Sequence, residues 1–146
     1  MKRVIEIISG LAGAVISFFV GLPPIIWILV GVESMDYITG LICGFMGVSP
    51  KTETGGLSSH AAFKGLLKKV LILLVVGLAA LVDMAVGQIA NIEFVAVTGA
   101  TCLWFVASEG LSVLENAAAM GVPIPKILMN ALEIIRQQGT GKEDKD

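Results

Sequence analysis

Thirteen consecutive residues, Val70 to Val82, contain nothing more polar than Gly77. A run that apolar has no polar face to turn towards water, so it belongs in a core or in lipid. The rest of the chain decides for lipid. Val4 to Val20 is apolar apart from Glu6, Ser9 and Ser17, and two more apolar stretches, Ile25 to Gly47 and Phe94 to Leu114, carry only isolated carboxylates as charges. Charged residues make up 15% of the chain and hydrophobic ones 55%, against about 25% charged in an ordinary soluble domain. Pattern and composition agree on an all-α, polytopic membrane protein. Its 146 residues bound it at three or four spans in one unit, with no room for a separate soluble domain.

Breakers divide the chain. The first span covers residues 4–21, about 18 residues and short for a bilayer crossing. With Lys2-Arg3 ahead of it, it has the outline of a secretory signal. No A-x-A site follows, however, and Pro23-Pro24 leads straight into another apolar run, so the segment is expected to be retained. Proline lacks the helical N–H and displaces the residue before it, which makes Gly21-Leu22-Pro23-Pro24 a hairpin or a kink. A hairpin is favoured, because Val4 to Gly47 is too long for one span. The second span is residues 25–47, about 34 Å of helix. Val48 to His60 is the clearest loop, with Ser58 or Ser59 placed to cap a helix that starts near Ala61 and becomes the third span, 66–87. A short turn from Gln88 to Glu93 leads to the fourth span, 94–115. Val122-Pro123-Ile124-Pro125 then breaks the helix, and Lys126 to Gln138 has the apolar face of a surface amphipathic helix. Residues 1–138 thus form a single membrane domain, and 139–146 a charged, disordered tail.

Lysine and arginine accumulate on the cytoplasmic side of membrane proteins. With four spans every basic residue falls on one side: Lys2 and Arg3, then Lys51, Lys64, Lys68 and Lys69, then Lys126, Arg136, Lys142 and Lys145. That predicts both termini inside. A three-span arrangement, with the first segment re-entrant or on the surface, breaks this separation or misplaces a terminus. Lys64, Lys68 and Lys69 are expected to anchor their helix at the headgroups.

Carboxylates inside the spans are the informative residues. Glu33, Asp36, Asp83, Glu109 and Glu115 each cost several kcal/mol in hydrocarbon unless neutralised, paired or wetted. With all basic residues assigned to the membrane surface or beyond it, no cationic partner is expected at their depth, and Tyr37 and Thr98 are the nearest hydrogen-bonding candidates. Either these groups tie helices together, or they form a polar lining that becomes wet on assembly. Glu33 and Glu109, deepest in their helices, lead for the second role, with Asp36, Glu115 and the adjacent Asn116 as further candidates. Gly13, and Gly40 with Gly44 in a G-x-x-x-G spacing, are candidates for close helix packing.

No nucleophile–base pair, zinc-ligand spacing or phosphate loop is present in the sequence, and no basic patch interleaved with aromatics. Cys43 and Cys102 lie singly among apolar residues, as buried thiols do. No enzyme activity, cofactor, metal or nucleic-acid partner is therefore expected.

Three elements, in order, carry a family resemblance. They are Asp36-Tyr37-Ile38-Thr39-Gly40 late in an early span; Ser58-Ser59 with Phe63-Lys64-Gly65-Leu66-Leu67-Lys68-Lys69 leading into another; and Glu109, then Ser112 to Glu115-Asn116, then Gly121-Val122-Pro123-Ile124-Pro125. Over roughly residues 15–135 the chain resembles the phage lysis and toxin-secretion holins of Gram-positive bacteria, the group that includes the clostridial toxin-release holin. The resemblance implies a homo-oligomeric lesion in the bacterial cytoplasmic membrane, functionally coupled to an endolysin or a secreted toxin. It also implies about three spans, which sets it against the four read from charge. The rival readings are a small ion or solute channel or transporter, and a non-pore, antiholin-like membrane regulator.

Overall fold

The computed structural model describes residues 2, 3, 5–7, 9, 10, 13, 21, 23–90 and 96–140. Most of the first expected span, and the tail from 141 onward, lie outside the described residues. Four helices follow residue 23: α1 (Pro24–Met46), α2 (Ser59–Ala90), α3 (Ala96–Ala119) and α4 (Lys126–Thr140). The first three are long and apolar enough to cross a membrane.

Each boundary has a local cause. Proline opens α1 at a position whose N–H has no intrahelical partner anyway. Gly47 ends it in the left-handed region at φ 72°, while the Val48 N–H reaches back to the Cys43 carbonyl at 3.0 Å. The Ser58 hydroxyl accepts from the Ala61 N–H at 3.3 Å, so the expected cap is realised and the helix starts at Ser59. At the start of α3, the Asp83 carboxylate of α2 accepts from the Val97 and Thr98 N–H groups at 3.1 and 2.8 Å. This intramembrane acid is a cap reaching from one helix to the next. Gly121, at φ 84°, closes α3, with the Val122 N–H bonded to the Ala117 carbonyl at 3.0 Å. Helix α3 thus runs past residue 115 to Ala119, short of the expected break at residues 122–125.

Helix α3 is the hub: it packs against α1 most extensively, then against α4 and α2, while α1 and α2 touch sparsely. The buried positions recur at helical spacing. They include Ile26, Leu29, Glu33, Asp36 and Cys43 on α1; Lys69, Ile72, Val76, Ala79 and Asp83 on α2; and Thr98, Cys102, Glu109 and Asn116 on α3. These fall on seams with steps of three, four or seven residues, the geometry of packed helices. The outward faces are apolar instead, with Ile38 and Phe45 on α1 and Leu71, Leu74 and Leu78 on α2 exposed. This inversion of the soluble pattern suits a lipid surround.

Helix α4 covers the C-terminal segment expected to be an amphipathic surface helix and buries none of its residues; it folds back antiparallel along α3, where Leu132 lies over Gly110 and the Trp104 indole N–H donates to the Arg136 carbonyl at 3.1 Å. Gly110 and Gly139 leave the room, since a Cβ on Gly139 would run into the Trp104 ring.

Candidate functional site

The three seams stack into layers. Towards the α2–α3 turn lies a dry layer of Ile26, Leu29, Ile72, Val76 and Cys102. One to two helical turns nearer the loop that joins α1 to α2, the same seams turn charged. Lys69 sits between α1 and α3, and its ammonium donates to Asp36 Oδ2 at 2.8 Å and to Glu109 Oε2. Lys51, from the loop, closes on Asp36 Oδ1 at 2.9 Å, and Lys68 on Glu109 Oε1 at 2.8 Å. Asp36 and Glu109 are buried, Glu109 to 1% exposure. Three ammonium groups and two carboxylates thus alternate in a chain across the bundle.

A neutral layer follows. Asn116 is fully buried, and its amide donates to Asp36 Oδ1 at 3.2 Å and to the Thr39 hydroxyl at 3.0 Å. The Cys43 thiol donates to the Asn116 backbone carbonyl at 3.2 Å. The missing side chain of Gly40 leaves space for the Asn116 amide, 3.7 Å from where a Cβ would stand. Between this layer, the loop and the start of α2 is a small cavity of about 70 Å³, whose walls include Asp36, Gly40, Lys51 and Lys69. The loop is folded tightly over it: the Ser49 N–H donates to the Gly55 carbonyl at 2.8 Å, which turns Lys51 back into the bundle.

The structure brings together Asp36, Glu109, Asn116 and Gly40 among the expected residues, and adds Lys51, Lys68 and Lys69 as their partners. For Asp36 and Glu109 that overturns the expectation of no cation at their depth, whereas Asp83 is held by backbone N–H groups. It also removes Lys69 from the headgroup anchor, because it is 7% exposed and bonded on both sides. Lys64 is exposed, and Lys68 is exposed while reaching Glu109. Glu33 is buried beside the charged layer, with Oε1 bonded to nothing among the described residues. Glu115 is exposed and stands apart from the layer. Gly44 packs against the loop, its Cβ position 3.1 Å from Leu57 Cα, rather than against another helix. Gly13 has open space around its Cβ position. Among the described residues no cluster of His, Cys, Asp or Glu is placed to hold a metal.

Chemically, such a layer does two things. In a dry bundle it locks three elements together, because removing one partner of a buried ion pair strands a charge. Once water reaches it, the same residues are a ready hydrophilic lining.

A sequence model of the bacteriophage holin family matches residues 13–137. A probable holin of Bacillus phage phi105 is 35% identical over 112 residues, covering 77% of this chain and 74% of that protein. An uncharacterised protein of Listeria innocua serovar 6a is 31% identical over 135 residues, covering 91% of this chain and 87% of its own length. One from Clostridium perfringens strain 13 is 33% identical over 119 residues, covering 82% and 79%. No solved structure matches.

Proposed function

The chain belongs to the bacteriophage holin family, and from that premise we propose that it gathers as a homo-oligomer and opens membrane lesions that release endolysin or a secreted toxin. It is a multi-pass protein of the bacterial cytoplasmic membrane, and proteins of this family are not enzymes.

The observation that supports this reading is the charged layer of Asp36, Lys69 and Glu109, enclosed by helices whose outer faces are apolar. In a single copy the layer is closed: each carboxylate has its ammonium, and the dry layer of Leu29, Ile72 and Val76 blocks the path beyond it. A copy in this state inserts without leaking ions. In an assembly the helices can exchange partners, so that the charged seams turn towards a shared interior while the apolar faces stay in lipid. The lining then costs little, because water replaces the broken pairs.

The test is induced expression in a bacterial host, following membrane potential and the release of a co-expressed cytoplasmic enzyme. Abrupt depolarisation with enzyme release after a fixed delay is the expected result. Depolarisation without enzyme release would move the reading to a narrow ion or solute channel. No change in either, with the protein present in the membrane, would move it to an antiholin-like regulator.

A further inference from the structure

Helices α1 and α2 touch sparsely and leave a groove of about 370 Å³ between them. Glu33 stands in it, 4% exposed, and its Oε1 has no hydrogen-bond partner among the described residues. The polar groups that share the groove do not supply one. The Ser34 hydroxyl donates to the Val30 carbonyl at 2.7 Å, the Lys69 ammonium is held by Asp36 and Glu109, and Tyr37 lines the groove without bonding to that oxygen. Towards the dry layer the walls turn apolar, with Val30 on α1 and Leu73 on α2. A carboxylate oxygen buried and unbonded at this depth calls for a donor from outside the bundle.

The molecule offers such a donor on another face. Lys68 is exposed between Leu67 and Leu71, which are exposed too. Of the three N–H donors of an ammonium, Lys68 spends one on Glu109 at 2.8 Å, and Glu109 keeps Lys69 without it. The layer holds Lys51, Lys68 and Lys69 against Glu33, Asp36 and Glu109, yet the sharing is uneven. Asp36 and Glu109 take two ammonium groups each, and Glu33 takes none among the described residues. Lys68 and Glu33 lie within about one helical turn in depth, because Lys68 reaches the layer and Glu33 is three residues from Asp36. Around α2, Leu66, Val70 and Leu73 border the groove, whereas Lys68, Leu71 and Val75 fall on roughly the opposite side at about 100° per residue. Lys68 therefore faces away from the groove of its own copy. Copies inserted alike in one bilayer stand at one depth, so Lys68 of one is level with Glu33 of the next. Leu71 and Val75, one and two turns nearer the dry layer, are then level with Val30 and Leu73.

We propose that a second copy of this chain docks in the α1–α2 groove through the Lys68, Leu71 and Val75 face of its α2, with the Lys68 ammonium bonded to Glu33. The contact joins two different surfaces, so it does not close on a dimer; repeated, it builds a ring or an arc in the membrane plane. The inference rests on the reading that the protein gathers as a homo-oligomer, and names the surfaces through which copies meet.

Cross-linking between differently tagged copies in native membranes tests it. In a Cys43→Ala/Cys102→Ala background, Glu33→Cys is placed in a copy with a long tag and Lys68→Cys in a copy with a short one. A flexible bis-maleimide, long enough for the span of a lysine–glutamate pair, joins thiols that meet. Docking predicts a mixed-tag dimer when both copies are expressed, and a ladder of dimers, trimers and larger species when one chain carries both cysteines. Leu67→Cys, one residue from Lys68 and turned outward, replaces Lys68→Cys as the control and should give several-fold less product. Val30→Cys with Leu71→Cys repeats the measurement as a direct disulfide one turn nearer the dry layer, should the first pair disturb the charges. Same-tag dimers from Glu33→Cys alone would overturn the proposal in favour of a two-fold contact. Equal product at Leu67, or no product from either pair, would overturn it outright and leave the groove to lipid. A ladder in cells that keep their membrane potential would uphold the contact and end the lesion reading, whereas depolarisation and enzyme release without a ladder would do the reverse.

Discussion

Lys68 and Lys69 are neighbours in sequence and differ in surroundings by one 100° step around α2. The Lys68 side chain is 62% exposed and touches one carboxylate, whereas Lys69 lies in the seam and holds two. Lys69→Met should therefore leave Asp36 with Lys51 alone and Glu109 with Lys68 alone, at a cost below the ~3–5 kcal/mol of a buried charge left with no partner. Lys68→Met should cost less than Lys69→Met, because the Lys68 ammonium is exposed and Glu109 keeps Lys69. Pulse-chase half-life in the membrane and thermal aggregation in detergent would show the difference, and the triple variant Lys69→Met/Asp36→Asn/Glu109→Gln should recover most of the loss. Equal effects of the two single lysine changes would remove Lys69 from the centre of the layer. The acids themselves were legible in the sequence, because a carboxylate inside an apolar run is conspicuous. Their cation was not, since a Lys-Lys doublet ahead of an apolar stretch reads as an anchor. The missed signal is spacing: Lys69, Ile72, Val76, Ala79 and Asp83 form one stripe, and a lysine in register with a buried stripe is buried with it.

At the scale of elements, three apolar helices could be read from hydropathy and breakers alone, as could a cap at Ser58 or Ser59, because both are local properties of the chain. The placement of α4 could not. Its apolar face suits a membrane surface and a neighbouring helix equally well, and only the paired gaps at Gly110 and Gly139 show that α3 is the surface it meets. The Trp104 indole fastens this pair through its bond to the Arg136 carbonyl. Trp104→Ala deletes one hydrogen bond, about 1 kcal/mol, together with the ring that fills the space beside Gly139. Amide hydrogen exchange across 126–140 should then quicken by roughly tenfold, the factor that 1.4 kcal/mol sets, while peptides from α1 and α2 keep their rates. Unchanged exchange in α4 would mean that the helix is held by its lipid contacts instead.

For the whole molecule, the α1–α2 loop and the α3–α4 connection lie at one end of the bundle, because α1 and α3 run the same way and α2 runs against them. That end and its flanks carry Lys51, Lys64, Lys68 and Lys126, while Arg136 lies further along the bundle, level with Trp104, and the chain has no lysine or arginine between Arg3 and Lys51 or between Lys69 and Lys126. The turn from α2 to α3 at the opposite end has no lysine or arginine, so the positive-inside bias predicts the loop end in the cytoplasm. Only the N-terminus distinguishes three crossings from four. Lys2 and Arg3 sit just ahead of an apolar segment of about 18 residues, the minimum that crosses a bilayer. If that segment spans, they join the other basic residues, and if it does not, they are stranded outside. Green fluorescent protein folds to a fluorescent state in the cytoplasm and not after export through the general secretion route, while alkaline phosphatase is active only after export. A fluorescent fusion at the C-terminus and an active phosphatase inserted after Gln88 are expected in either case, and their failure would reverse the orientation. A fluorescent N-terminal fusion would establish the fourth crossing, and a dark one beside a bright C-terminal fusion would reduce the membrane-crossing helices to α1, α2 and α3.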